Sequence, residues 1–223
     1  MERQIIYIGD PMCSWCWGFA PTLKRLREEF GAAAPMALVL GGMRAFETAP
    51  MDDARRAAVR KHWDDVNRAT GQPFDPRFFD RPGFVFDSEP ACRAAVVVRQ
   101  HWPDRMWDFY EGLHHGFHAG NRDVTDAAVL ADIAAEHGIG RDDFRAQFDD
   151  RAARSAALGD FQWCHRAGVT GFPTVVVRED DRFGLLTVGC TPYDELAPVV
   201  DAWCAGRISL GQGAEAPESA TTH

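Results

Sequence analysis

Two cysteines near the start of the chain, Cys13 and Cys16, are separated by Ser14 and Trp15. They follow an apolar, β-branched run at residues 5–8 and precede a segment with helical spacing. A C-x-x-C pair between a strand and a helix is typical of a redox-active dithiol. Unpaired N–H groups at a helix N-terminus stabilise a thiolate, so we expect Cys13 to be the nucleophile. Cys16, one turn later, is expected to be more buried and to resolve a mixed disulfide at Cys13.

The same pair could instead be half of a zinc site, which needs two more ligands at a similarly close spacing. The sequence holds no second C-x-x-C. The remaining four cysteines stand singly: Cys92, Cys164, Cys190 and Cys204. We therefore predict a dithiol and no metal site, and we expect the single cysteines to be buried as small apolar side chains.

The elements around the pair predict a βαβ unit. The strand over residues 5–8 is expected to end at Gly9 and the turn after it. The next helix is predicted from Cys13 to Phe30, with a kink at Pro21, which lacks the N–H for one helical hydrogen bond. A second strand is predicted over residues 36–40. Two apolar strands joined by a helix imply a parallel pair that is covered on its faces.

Residues 46–167 carry repeated helical signals and one short apolar run, at residues 84–86, that could form a strand. Ser88 is expected to cap one helix of this block. Thr125 is expected to cap another, over residues 126–137.

Strands return after the block, over residues 174–177 and 185–188, and a closing helix is predicted over 193–204. Because the predicted strands lie outside the helical block, we interpret the chain as one sheet domain with an insertion. The predicted division is a discontinuous sheet domain over 1–45 and 168–208, a helical insertion domain over 46–167, and a disordered tail over 211–223.

A second element lies at residues 171–174, where Phe172 and Pro173 stand at the entrance to a strand. Proline is tolerated at the first position of a strand, and alone it would be expected in the trans form. This segment therefore indicates a functional site only in combination with the cysteine pair.

These features together resemble the DsbA-like thioredoxin family. The resemblance rests on C-S-W-C at residues 13–16, a helical insertion of matching size, and G-F-P-T at residues 171–174, and it covers about residues 3–206. The opening D-P-M-C-S-W-C-W-G-F is most similar to the cytoplasmic branch of predicted protein-disulfide isomerases. Residues 88–92 and 120–126 also resemble family landmarks. The resemblance implies an α/β, thioredoxin-like fold with a large all-helical insertion between the second and third strands.

In that family the proline before the third strand is cis and faces the cysteine pair. The resemblance therefore implies that Pro173 is cis, and that the N–H and C=O of Phe172 pair with an extended substrate. Ser14 and Trp15, between the cysteines, are predicted to contact substrate together with Phe172 and Pro173.

The chain departs from the periplasmic oxidants of the family at two places. Those proteins have Pro-His where this chain has Ser14 and Trp15, and they often have Val where it has Phe172. Without a neighbouring histidine the thiolate of Cys13 is less stabilised, which makes the couple less oxidising by tens of millivolts at ~1.4 kcal/mol per 30 mV. We therefore expect reductase or isomerase behaviour.

Aromatic and histidine residues suggest further contacts. Trp15, Trp17 and Phe19 are expected to form an aromatic surface beside the cysteines, although aromatic residues near a helix start are as often part of the core. His114 and His118 share a helix face, but the sequence shows no third ligand for a metal. We interpret them as surface histidines.

The chain has 223 residues, a net charge of −9, and 46% hydrophobic and 26% charged residues, a composition ordinary for a globular protein. An acidic chain without a basic cluster argues against a nucleic-acid partner. The N-terminus shows no charged leader before an apolar stretch, and no apolar run approaches the ~20 residues that span a bilayer. We predict a soluble, cytoplasmic protein without a membrane partner, and the sequence leaves its oligomeric state open.

The predicted function is that of a thiol–disulfide oxidoreductase, similar to protein-disulfide reductases and isomerases, that acts on protein or peptide thiols and disulfides. It needs no cofactor beyond the Cys13–Cys16 pair, with glutathione as a candidate reductant and partner. One alternative is a glutathione-dependent transferase or isomerase resembling the kappa class, which usually has Ser at the position of Cys13. Another is a chaperone-like binding module that uses its cysteines only as a redox sensor.

Overall fold

The structure is a computed structural model that describes residues 2–211 of the chain. Its four strands form one mixed sheet in the order β2-β1-β3-β4, in which β1 and β2 are parallel and the other two pairs antiparallel. The strands are β1 (Arg3–Gly9), β2 (Met36–Leu40), β3 (Thr174–Glu179) and β4 (Arg182–Val188). The parallel βαβ unit and the later hairpin are confirmed.

Eight α-helices are present within residues 2–211. They are α1 (Ser14–Phe30), α2 (Asp53–Thr70), α3 (Glu89–His101), α4 (Met106–His118), α5 (Ala127–Glu136), α6 (Arg141–Phe148), α7 (Arg151–Arg166) and α8 (Tyr193–Cys204). Helices α2 to α7 lie between β2 and β3, which is the predicted all-helical insertion. The domain boundaries at 45/46 and 167/168 stay predictions, and the predicted disordered tail lies, from residue 212 on, outside the described residues.

Both faces of the central strand β1 are buried. Ile5 and Tyr7 face the large core that α1, α8 and the insertion share, while Ile6 and Ile8 face a smaller cluster around Trp163 of α7. Side chains alternate along a strand, so a continuous apolar run can serve two cores at once. Tyr7 is thereby placed on the same side of the sheet as α1.

Helix α1 continues unbroken through Pro21. A proline at this position leaves the carbonyl oxygen of Trp17, four residues earlier, without its helical donor. The side-chain amide of Gln72 donates to that oxygen at 2.9 Å, and the indole N–H of Trp17 donates to the Pro73 carbonyl at 3.0 Å. The insertion therefore completes the hydrogen bonding of the helix that carries the cysteines.

A half-buried ion pair connects the insertion to the edge strand β2. Asp160 of α7 accepts from the Leu40 amide at 2.9 Å and pairs with Arg99 of α3 at 2.7 Å. Arg99 also donates to the Leu38 carbonyl at 2.6 Å. These bonds occupy backbone groups of β2 that would otherwise be an unpaired sheet edge.

Two local predictions were wrong. The N-cap of α5 is Asp126, whose carboxylate accepts from the Ala128 amide at 2.6 Å, whereas the Thr125 hydroxyl turns back to Asp123. A carboxylate is the better acceptor for the first free amides of a helix.

Residues 84–86 form no strand, only an isolated bridge between Val85 and Pro50. Their phenylalanines are buried instead in the core of the insertion.

Candidate active site

Asp10 shapes the turn that carries the chain from β1 to α1. Its carboxylate accepts from the Met12 amide at 2.9 Å, and its carbonyl accepts from the Cys13 amide at 3.0 Å. These two bonds fold residues 10–13 back on themselves, so that α1 begins directly above the end of β1. Cys13 occupies the N-cap of α1 with an extended backbone.

The side chain of Cys13, at the N-terminal end of α1, is 5% exposed. Its Sγ lies 3.7 Å from the carbonyl oxygen of Phe172, which is 159 residues later in the chain. The tertiary structure therefore brings together the two elements that the sequence singled out, the cysteine pair and the segment before β3.

Cys16 lies one helical turn behind Cys13 and has no exposed surface. Burial raises the pKa of its thiol well above the usual value, and the neighbouring Cys13 raises it further. The Asp10 amide and the Tyr7 hydroxyl act in the opposite direction and lower this pKa. Both cysteines are free thiols. Both are buried, and the assignment of Cys13 as the attacking thiol and Cys16 as the resolving thiol stays a prediction.

The Phe172–Pro173 peptide bond is cis, as the resemblance implied. The segment is held by the Thr174 hydroxyl, which donates to the Gly171 carbonyl at 2.7 Å. The Phe172 ring is half-buried and packs directly on Gly41, where an added Cβ would lie 2.1 Å from ring carbons. Only a glycine at position 41 leaves room for the ring where it stands.

The predicted aromatic surface is only partly present. Ser14 and Trp15 are half-buried and stand between the cysteines at the start of α1. Trp17 and Phe19 are 5% and 0% exposed and belong to the interior, so including them in a binding surface was wrong. A helix that is buried on one side presents only some of its positions to solvent.

The predicted surface position of His114 and His118 was also wrong, because both are buried. Their rings lie parallel to the Trp17 indole, with centroids 6.2 Å away in each case. Burial lowers the pKa of both rings, that of His118 to about 3. Within residues 2–211, no three His, Cys, Asp or Glu side chains gather in a way that could hold a metal ion.

The four single cysteines divide into two groups. Cys92 and Cys164 are buried as predicted, and burial raises the pKa of Cys164 to about 12. Cys190 and Cys204 are only half-buried, so the prediction was wrong for these two. Cys190 lies two residues after β4 and Cys204 is the last residue of α8, and the chain returns to the surface at both places.

Sequence reasoning gave no role to three buried residues around the pair: Asp10, Tyr7 and Tyr110. Tyr7 and Tyr110 bring their hydroxyls to the inner side of Cys16. The alternation along β1 was a usable signal for Tyr7, since it places that side chain under α1. No sequence signal placed Tyr110, which comes from α4 in the insertion.

A C-x-x-C pair at the start of the first helix, set against a cis-proline segment beside a central strand, defines a thioredoxin-fold dithiol protein. The chain belongs to the DSBA-like thioredoxin family, whose family model matches residues 4–200. The predicted family and fold class are confirmed, and the family is one of thiol–disulfide oxidoreductases.

Solved structures extend the likeness over nearly the whole chain. A protein of Nitrosomonas europaea, provisionally named a protein disulfide isomerase, is 34% identical, with a TM-score of 0.86 over 92% of this chain and 99% of that one. The cytosolic disulfide reductase DsbM of Pseudomonas aeruginosa is 26% identical, with a TM-score of 0.71 over 92% and 96%. DsbM has also been solved with glutathione.

A curated relative, the ClpXP adapter protein SpxH of Bacillus subtilis, is 20% identical over 86% of this chain. The SpxH of Halalkalibacterium halodurans is 23% identical over 85% of it. The chain spans 64% of the length of each of these two relatives. No helix within residues 2–211 has both the length and the apolar character to cross a membrane.

Proposed function

We propose that this protein is a cytoplasmic thiol–disulfide oxidoreductase that works by a dithiol–disulfide cycle of Cys13 and Cys16. The observation that carries the proposal is the position of Cys13, at the N-cap of α1 and 3.7 Å from the Phe172 carbonyl, with the fully buried Cys16 one turn behind. An outer thiol can meet a substrate disulfide, and an inner one can reach only the outer sulfur.

The cycle has two exchange steps. In the first, the Cys13 thiolate attacks one sulfur of a substrate disulfide, the substrate S–S bond breaks, and the other substrate sulfur leaves as a thiolate. In the second, the Cys16 sulfur attacks Cys13, and the mixed disulfide bond breaks. The substrate is then a dithiol, having gained two electrons and two protons, and the protein holds a Cys13–Cys16 disulfide. Run backwards, the same steps oxidise a dithiol.

The segment before β3 is proposed to bind the substrate backbone. Phe172 and Pro173 stand beside Cys13, and an extended peptide there would pair with the N–H and C=O of Phe172 as an added strand. Ser14 and Trp15 would contact the residues that flank the substrate cysteine. Trp15 is a half-buried aromatic group that can make apolar contacts with the substrate, whereas the Phe172 ring packs on Gly41 and against the smaller cluster around Trp163.

We propose reduction or isomerisation as the direction, with protein or peptide disulfides as substrates and glutathione as the reductant. Two observations support this. Ser14 and Trp15 stand between the cysteines, where a thiolate-stabilising histidine would make the couple oxidising. The cytosolic disulfide reductase DsbM, solved with glutathione, is similar to this chain over 92% of its length.

The test is a redox titration in glutathione buffers, with acid quenching, alkylation and peptide mass analysis. We expect one reversible Cys13–Cys16 disulfide, with a potential nearer ~−270 mV than ~−120 mV. Cys13→Ser should abolish turnover of a peptide disulfide, and Cys16→Ser should accumulate the mixed disulfide at Cys13. Cys204→Ser is the matched control, since this half-buried thiol ends α8 and should leave turnover unchanged.

Two results would contradict the proposal. An active Cys13→Ser variant would exclude the cycle. A stable glutathione adduct at Cys13 that never converts to a Cys13–Cys16 disulfide would favour the transferase or isomerase alternative resembling the kappa class.

A second candidate is a binding module without turnover, which the similarity to SpxH, a ClpXP adapter protein, favours. In this case the surface around Trp15 and Phe172 would hold a client protein, and the thiols would only sense the redox state. Client binding that survives the loss of both Cys13 and Cys16, together with absent disulfide turnover in the wild type, would support this candidate over the first.

A further inference from the structure

Three polar side chains on the inner side of Cys16 have no role in the cycle described so far. Tyr7, Tyr110 and His114 are 0%, 2% and 1% exposed. Tyr7 interacts with Cys16 and Tyr110, and His114 interacts with the Pro11 backbone, but within residues 2–211 none of these contacts has the geometry of a full hydrogen bond. Buried polar groups are nearly always paired with protein or with ordered water, so a cluster of unpaired ones indicates a water site or a functional role.

The two hydroxyls lie next to each other and next to the inner thiol. A Cβ built on Gly9 would lie 2.6 Å from both hydroxyl oxygens, so Tyr7 and Tyr110 converge over the bare Cα of that glycine. The Tyr7 hydroxyl is also close enough to Cys16 to lower the pKa of its thiol. The ring of His114 follows, edge-on to Tyr110 with centroids 4.6 Å apart. Tyr7, Tyr110 and His114 therefore form a continuous row of polar side chains that begins at Cys16.

A small cavity extends from this row of polar side chains towards the surface. Its volume is about 20 Å³, above the ~10–15 Å³ that one water molecule needs. Cys16, Tyr110 and His114 line its inner end. The exposed side chains of Lys24 and Glu111 stand at its outer end, together with the half-buried Arg27. Ala20, Leu23 and Trp107 form the apolar walls between these two ends. The cavity therefore offers a water-sized step between the buried thiol and the solvent, in which Cys16, Tyr110 and His114 are the polar partners at the inner end.

We propose that Tyr7, Tyr110 and a water molecule in this cavity form a relay that carries the thiol proton of Cys16 to solvent during the second exchange step. The inference rests on the proposed dithiol cycle. In the first exchange step the path is shorter, because Cys13 stands at the N-cap of α1 and keeps 5% of its surface exposed. Cys16 has no exposed surface, so its proton has to pass through the hydroxyls and the cavity beside it.

The S–H bond of Cys16 breaks and its proton passes to the Tyr7 oxygen, while Tyr7 gives its own hydroxyl proton to Tyr110. Tyr110 in turn gives its proton to the water, which releases one proton to solvent, so both phenols end as neutral hydroxyls. The Cys16 sulfur bonds to Cys13, the bond from Cys13 to the substrate sulfur breaks, and that sulfur leaves with the electron pair and takes up a proton from solvent.

The groups around the relay are mostly uncharged or lie at its ends. They are Tyr7 and Asp10 from β1 and its turn, Cys13, Lys24 and Arg27 from the N-cap and body of α1, Cys92 from α3, and Tyr110, Glu111, His114 and His118 from α4. Burial keeps the pKa of both tyrosines well above the usual value, so both remain hydroxyls that can pass a proton. With the Tyr7 hydroxyl removed, the Cys16 thiol should be harder to ionise.

The test separates the two exchange steps in time. Reduced protein is mixed with glutathione disulfide in a quench-flow instrument, quenched with acid and alkylated. Peptide masses then give the fractions of the Cys13–glutathione adduct and the Cys13–Cys16 disulfide. We expect Tyr7→Phe to slow conversion of the adduct to the disulfide by about ten-fold or more and to move its pH midpoint upwards. Formation of the adduct should be unchanged. Tyr110→Phe should act in the same direction.

Tyr193→Phe is the matched control, because Tyr193 lies in α8 and its hydroxyl is bonded to Glu29. It should leave both steps unchanged. The wild-type conversion should also slow in heavy water, and this isotope effect should shrink in Tyr110→Phe. The isotope effect on the wild type does not depend on either variant folding.

Two results overturn the relay, and they are distinguishable. If both variants convert the adduct at the wild-type rate with the wild-type pH profile, or if heavy water has no effect, the relay is wrong and the dithiol cycle stands. If the wild type itself never forms the Cys13–Cys16 disulfide, the proposed function fails and the relay with it.

Discussion

The hydroxyl of Ser88 donates a 2.8 Å hydrogen bond to the buried carboxylate of Asp10, 78 residues earlier in the chain. Asp10 shapes the turn that precedes Cys13, whereas Ser88 stands at the N-cap of α3 and makes no cap bond of its own. The same carboxylate accepts from the Met43 amide at 2.7 Å. The insertion thereby fixes the turn that places the outer cysteine.

We predict that Ser88→Ala lowers the free energy of unfolding by about 1–3 kcal/mol, because a buried carboxylate loses a donor. Burial raises the pKa of Asp10, and the Ser88 hydroxyl opposes this by bonding the charged form. The variant should raise that pKa further. The stability difference from wild type should therefore widen as pH rises through the pKa of Asp10. Urea denaturation at several pH values measures this.

Ser155→Ala is the control for this experiment, since Ser155 is exposed on α7 and bonds only within its own helix. It should change the free energy of unfolding by less than about 0.5 kcal/mol. A difference between Ser88→Ala and wild type that stays constant with pH would contradict the coupling to Asp10.

The buried His118 should make the protein less stable in acid. Burial lowers the pKa of its ring to about 3, whereas the unfolded chain takes up that proton near 6.5. The contribution of His118 to stability is therefore fully present above pH 6.5 and is lost as pH falls from there towards 3. His118→Phe keeps a ring against Trp17 but cannot take up a proton. We therefore expect it to make the fall in the free energy of unfolding on acidification less steep, by up to about 1.4 kcal/mol per pH unit.

The measurement is the free energy of unfolding in urea between pH 7 and pH 4.5. His62→Gln is the control, because His62 is exposed and its replacement should not alter the slope. Equal slopes for His118→Phe and wild type would show that His118 is not held neutral by the fold.

Gly41 is the residue on which the Phe172 ring packs. The Cβ of Gly41→Ala would lie 2.1 Å from the far end of that ring, which must move away and can shift the Phe172 backbone beside Cys13. Because a side-chain ring can move more easily than backbone, the variant should fold and should bind substrate less well. We expect the KM for a peptide disulfide to rise about ten-fold, or ~1.4 kcal/mol.

Gly159→Ala is the matched change, since nothing lies within 4 Å of the Cβ it adds inside α7. It should stabilise the protein by about 0.5–1 kcal/mol and leave the KM unchanged. Thermal unfolding and steady-state kinetics measure both effects. An unchanged KM in Gly41→Ala would mean that the Phe172 ring does not contribute to substrate binding.

The order of elements could be read from the sequence. Apolar runs with β-branched residues predicted the strands, and Cys13 and Pro173 stood at the two places where a strand meets a functional segment. These signals are local, since they depend on residues within a few positions of each other. The errors were local as well. Thr125 and Asp126 are both acceptable caps, and only the competing bond to Asp123 decides between them.

The buried surroundings of the cysteines were decided by the tertiary structure. His114 and His118 lie at positions i and i+4 of α4, and the sequence alone was interpreted as placing them on the surface. They pack on Trp17 instead, because α4 crosses α1 at that turn. Tyr110 and Ser88 reach the site from the insertion, and their contacts with Tyr7 and Asp10 join residues 103 and 78 positions apart. Nothing in a local pattern specifies such pairs.

The sequence by itself therefore determined the fold class, the position of Cys13 and Cys16 at a helix start, and the proline before β3. Only the tertiary structure decided that the Phe172 carbonyl faces Cys13 and that unpaired hydroxyls lie beside Cys16. The physical reason is that secondary structure follows from short-range periodicity, whereas burial, and with it every large pKa shift here, depends on which distant elements exclude water from a group.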